Sequence, residues 1–171
     1  VEGALWLLLN GGGHDDLVAL AATVFAGCAL VLWPIVAVLA PLLIETGRVR
    51  VRILSALLAL AIALSGYFLV VMLGHPYGVA IVGHSLQYDN GVIYPDLPRL
   101  AYAVVTCVPL LVSSQRAMRL LGVLVTVGLA VSLAVYYDAL FSVWCFFAAA
   151  SSVLVYAHFA VFRVRAQNLP A

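Results

Sequence analysis

Few residues in this sequence are of types that do acid–base or metal chemistry. Glu2, His84, Tyr137, Asp138 and His158 stand out. A histidine facing carboxylates can bind zinc or move a proton. His84 falls in a long loop and Asp138 in a tight turn. Glu2 lies about seven residues from the Asn10-Gly11 break, or about 10 Å along a helix. If these places face one side, His84 and Asp138 meet over a shallow outer pocket, with Tyr137 and Glu2 beside them. Cys145 then lies roughly one to two turns deeper. In that arrangement His84 and Asp138 are the candidate metal ligands, and His84, Asp138, Glu2 and Tyr137 the candidate catalytic groups. No His-x-x-x-His or His-Glu-x-x-His pair sharpens the metal reading.

Each residue also has a plainer use. Asp138 suits the N-cap of the last helix. Glu2, as a protonated carboxyl, can hydrogen-bond a neighbouring helix. Tyr88, Tyr94, Tyr136 and Tyr137 fit an interfacial aromatic belt. His158 is a candidate axial ligand for haem or a chlorin, without a second helical histidine to pair with it. Its plainer role is a packed ring bonded to Ser151, Ser152 or Tyr156. Asp138 and His158 bracket one apolar run and lie about 30 Å apart along a helix, so they cannot share a site. His75 precedes Pro76 and reads as a loop residue; His14, beside Asp15 and Asp16, reads as solvated. Cys28, Cys107 and Cys145 each sit inside an apolar run and read as small hydrophobes, not a disulfide framework.

The elements that must position these residues follow from composition. The chain has 171 residues, of which 66% are hydrophobic and 9% charged. A soluble domain carries about 25% charged residues. A water-soluble globule of this size could not hide so much apolar surface. Soluble enzyme, secreted module, disordered tail and nucleic-acid binder are therefore excluded as first readings. The expected partners are membrane lipids and other membrane subunits. The chain has arginines but no lysine, and its net charge is +1, so there is no polybasic surface for nucleic acid.

The predicted fold is all-α: a polytopic transmembrane helix bundle in a single domain, 1–171. Apolar runs place a partial N-terminal helix near 1–9 and full spans near 17–44, 53–73, 99–113, 120–135 and 139–162. Residue 1 is Val and the first run is short, so the chain is expected to begin inside a helix. Trp33-Pro34 and Pro41 predict a kink or an early end in the second run. Residues 45–52 read as a polar turn. Near 79–95 a small outer-face hairpin is expected, with its turn at Asn90-Gly91. Most arginines cluster in 45–52, 113–119 and the C-terminal tail; Arg99 is the exception. The positive-inside rule puts those segments in the cytoplasm and the 74–98 loop outside.

Several stretches resemble a known family. They are Glu2-Gly3-Ala4-Leu5-Trp6-Leu7, Val82-Gly83-His84, and Leu110-Leu111-Val112-Ser113-Ser114-Gln115-Arg116 before Arg119-Leu120-Leu121-Gly122. The most specific is the run from Tyr137 through Ser142-Val143-Trp144-Cys145-Phe146-Phe147-Ala148-Ala149 to Tyr156-Ala157-His158-Phe159. Together they are similar to an uncharacterised family of small bacterial seven-helix membrane proteins, a domain of unknown function. Its members usually start Met-Cys-Phe-Ser and carry one further helix before the Glu-Gly-x-x-Trp segment. The resemblance implies seven spans and carries no activity.

Three functions remain in play. The first is a non-enzymatic accessory or scaffold subunit of a larger complex, in the bacterial cytoplasmic membrane. Its motive is that the spans hold almost no ionisable groups, while Ala148-Ala149-Ala150-Ser151-Ser152 suits close helix docking. The second is an intramembrane metal-dependent hydrolase acting on lipid at the outer leaflet. The third is a small transporter, which needs several polar groups near the midplane and finds Glu2 alone.

Overall fold

The structure is a computed structural model that describes residues 15–75, 77–82, 85–89 and 96–135, with Leu7, Ala149 and Val153 as isolated positions. Helix α1 (Asp15–Ala26) runs without a break into a π-helical segment (Gly27–Leu32) and on into α2 (Trp33–Ile44). Helix α3 covers Arg48–Gly74. Strands β1 (Gly78–Val82) and β2 (Ser85–Asp89) follow, then α4 (Asp96–Val112) and α5 (Arg116–Val135).

The architecture is helical, and three helices are long and apolar enough to cross a membrane: Asp16–Ile44, Arg48–Gly74 and Arg116–Ala134. Helix α4, with 17 residues, rises about 25 Å and falls short of about 30 Å of hydrocarbon. The expected partial helix near 1–9 and the last span near 139–162 lie outside the described residues.

Three local expectations are corrected. Of the kink or early end expected at Trp33-Pro34 and Pro41, the early end is overturned: both prolines lie within α2, and both are buried. Pro34 stands at the second position of α2, directly after the π-helical segment. Next, 45–52 is not a turn throughout. Only Glu45–Gly47 is non-helical, and α3 starts at Arg48. Arginine is a good helix former, so helix outlasts the apolar run that hydropathy detects. Finally, the hairpin is real but shifted. Gly78 pairs with Asp89 and Val82 with Ser85, so the two paired arms are 78–82 and 85–89, and both precede Asn90-Gly91. The β-branched Val79 and Val82 favour the upstream arm.

Helices α2, α3 and α4 pack on one another, α5 packs on α4, and β1 lies against α1. The core joins small and large residues: Ala22, Ala26 and Ala61 let backbones approach, and Leu54, Phe68, Tyr102 and Val105 fill the space. At Gly122, α4 and α5 approach closely. A methyl placed at Gly122 would sit 2.9 Å from the Leu110 Cβ and 3.0 Å from its backbone carbon. Only a residue without Cβ fits there. Large apolar side chains point outward all along the helices, among them Leu20, Ile62, Val70 and Val127.

Candidate functional site

The candidate site residues read from the sequence fall outside the described residues. Glu2, His84, Tyr137, Asp138 and His158 are all among the undescribed positions, as are Cys145, Tyr94 and Tyr136. Of the others, Cys28 is exposed and Cys107 buried, both free thiols. Among the described residues, no group of three or more His, Cys, Asp or Glu is placed to hold a metal ion. What the structure does describe is a polar or aromatic joint at each end of the bundle.

The first joint lies beneath the hairpin. Tyr88 of β2 stacks on Phe25 of α1, with ring centroids 4.8 Å apart. Phe25, Ala26, Ala29, Leu30, Tyr77 and Tyr88 line an apolar recess of about 10 Å³, the size of one water. Its floor is the π-helical segment. There the Trp33 N–H reaches back five residues to the Cys28 carbonyl. One residue on, the same register assigns the Ala29 carbonyl to the N–H of residue 34. Residue 34 is proline and has no N–H. The Tyr102 hydroxyl of α4 donates to the Ala29 oxygen instead, at 2.8 Å. In an apolar surround an unanswered carbonyl is costly, so this bond ties α4 to the π turn. Phe68 of α3 meets the Tyr102 ring edge-on at 6.1 Å. The Thr106 hydroxyl, one turn below, bonds back to the Tyr102 carbonyl at 2.7 Å.

The second joint lies at the opposite ends of α2 and α4. Glu45 is the C-cap residue of α2, and its side chain reaches across to the other loop. Its Oε2 accepts the Ser114 N–H at 2.8 Å, and its Oε1 lies 3.6 Å from the Arg50 guanidinium. The Glu45 side chain is 1% exposed, while that of Arg50 is 49% exposed. The Ser114 N–H holds the Glu45 carboxyl below its ordinary range. Burial opposes this, and the Ser114 hydroxyl, the Arg50 charge and the Gly47 backbone add to the lowering. The Ser113 hydroxyl accepts the Gln115 N–H at 3.3 Å and stiffens the same loop.

Residues 1–169 match a family of unknown function (DUF6629). The chain belongs to that family. No curated protein and no solved structure matches this DUF6629 chain. The resemblance read from the sequence to an uncharacterised family of unknown function thus holds over nearly the whole chain.

Sequence reasoning passed over the two residues that organise this DUF6629 chain, Tyr102 and Glu45. A signal for Tyr102 was present: Pro34 inside a long apolar run demands a donor from elsewhere, and a tyrosine in a neighbouring span can supply one. For Glu45 the signal was a lone carboxylate at the arginine-rich end.

Proposed function

We propose that this DUF6629 protein is a non-enzymatic accessory or scaffold subunit of a larger complex in the bacterial cytoplasmic membrane. In this reading residues 1–171 form one transmembrane domain. The arginine-rich loops and the C-terminus face the cytoplasm, and the 74–98 loop faces out. The five full spans, and the seven that the family resemblance implies, are part of the same proposal.

One observation carries the reading. Among the described residues, the buried polar side chains other than Ser65 bond to the chain's own backbone, and many large apolar side chains are turned outward. Tyr102, Thr106 and Ser132 donate to carbonyls, and Glu45 accepts from Ser114. Leu20 is 61% exposed and Val70 71%. Helices with internally answered polar groups and apolar outer faces suit a wall that lipids or partner helices cover.

The test is native mass spectrometry of the full-length protein extracted from its own membrane, with metal analysis of the same sample. A fixed partner at constant stoichiometry supports the subunit. A lone monomer in mild detergent counts against it. A lone protein with one bound zinc or iron turns the case to the second reading, a metal-dependent lipid hydrolase. His84→Ala should then lose the metal.

A further inference from the structure

We propose that the arginine end of the bundle is a docking surface for anionic phospholipid headgroups. The inference rests on the membrane reading and is independent of the accessory role. Arg48, Arg50 and Arg52 occupy the first two turns of α3, and Arg116 and Arg119 the first turn of α5. All five are exposed. The Glu45 bridge from Ser114 to Arg50 draws the α2–α3 and α4–α5 loops together, so the two arginine groups belong to one end of the molecule.

Only Arg50 of this group is answered by a carboxylate among the described residues. Among the described residues, Glu45 is the one carboxylate at this end, and it is already bonded to Ser114 and Arg50. Neither α3 nor α5 has an acidic residue in its first turn, and Gly47 gives α3 no side-chain cap. Arginines at the positive end of a helix dipole are unfavourable unless an anion comes to them. Arg48 and Arg52 are four residues apart on one helix, as like charges that repel. Arg99, beyond the far end of the core, is different: it pairs with Asp96 at 3.9 Å.

The immediate neighbours of the arginines identify the anion. Leu43 is 76% exposed and Val49 69%, and Ile53, Leu120 and Val123 are exposed as well. A ring of guanidiniums with bare aliphatic side chains beside and beneath it matches a phosphate with acyl chains below. A guanidinium binds phosphate oxygens through paired, charge-assisted hydrogen bonds. A net negative headgroup such as phosphatidylglycerol suits the patch better than phosphatidylcholine, whose phosphate has its own ammonium.

The experiment uses the full-length protein reconstituted in vesicles of equal parts phosphatidylglycerol and phosphatidylcholine. Retained lipids are read by native mass spectrometry after mild extraction. We expect phosphatidylglycerol to be retained over phosphatidylcholine by at least about tenfold, given the attraction each surface arginine adds. The Arg48→Gln, Arg52→Gln, Arg116→Gln, Arg119→Gln variant should lose that preference, the matching lysine quartet should keep most of it, and Arg99→Gln should leave it unchanged. If the glutamine variant does not fold, the wild type supplies the answer: the preference should collapse in about 1 M salt, where screening acts within about 3 Å. Equal retention of both lipids overturns the proposal. So does a preference that survives the glutamine variant or the salt. Displacement by inorganic phosphate overturns it in favour of a soluble anion. Failure to float with either lipid defeats the membrane reading itself, whereas flotation without preference defeats the headgroup surface alone.

Discussion

The two ends of the bundle join helices by different means. Beneath the hairpin the bond is neutral: a tyrosine hydroxyl answers a backbone carbonyl that a proline has left without its donor. At the arginine end the bond is charged: a carboxylate accepts a backbone N–H and faces a guanidinium. The difference follows depth. Tyr102 lies within α4 and is buried, so a neutral hydrogen bond to protein suits it there. Glu45 lies between helices, where water can reach its partner Arg50, and an ion there is tolerable. The deep joint therefore resists salt and pH, and the shallow one responds to both.

The largest effect should come from Gly122, where α5 packs tightly on Leu110 of α4. Gly122→Val places branched carbons against the Leu110 backbone, which cannot swing aside as a side chain can. Overpacking of this kind costs about 1–3 kcal/mol. Denaturant titration of the purified protein in detergent should show it. A variant as stable as wild type would mean that the α4–α5 contact is looser than described. Tyr102→Phe comes next. It keeps the ring against Phe68 but leaves the Ala29 carbonyl unanswered, at a cost of about 1–3 kcal/mol.

A smaller measurement isolates why the neutral joint exists. Pro34→Ala restores an N–H in reach of the Ala29 carbonyl, so the hydroxyl becomes redundant. In that background Tyr102→Phe should cost about 1 kcal/mol less than in the wild type. Additive costs in the double-mutant cycle would mean that the hydroxyl bond and the missing proline donor are unrelated.

These residues show how far the sequence could be read. The four long helices and the extended arm at 85–89 follow from apolar runs and loop chemistry. Helix ends do not, because hydropathy marks the part of a helix that lipid tolerates, and Arg48 and Asp96 extend helices beyond it. The hairpin was placed too late because Asn90-Gly91 is a strong turn signal, and only strand pairing decides register. Tyr102 was legible only in part: Pro34 announces a missing donor, but not which carbonyl lacks it. Its role depends on a change of helical register at Gly27–Leu32, which no residue type announces. Glu45 was read as one member of a polar turn, because its partner Ser114 is distant in sequence.

The smallest expected effect is the response of the charged joint to acid. Folding lowers the Glu45 pKa below its ordinary value of 4.5. A group lowered in the folded state binds its proton more readily when unfolded. Its contribution is therefore present in full above that ordinary value and fades as pH falls through the lowered folded value. Thermal melting at neutral pH and at pH about 3 should reveal a loss in the wild type. Glu45→Gln should start lower at neutral pH and fall less on acidification, because the amide keeps an acceptor oxygen for Ser114 but has no charge to lose. Tyr102→Phe should keep the wild-type acid response in full, since its bond does not titrate in this range. If Glu45→Gln responds to acid as the wild type does, another carboxylate governs that loss, and the contrast between a titrating end and a silent one disappears.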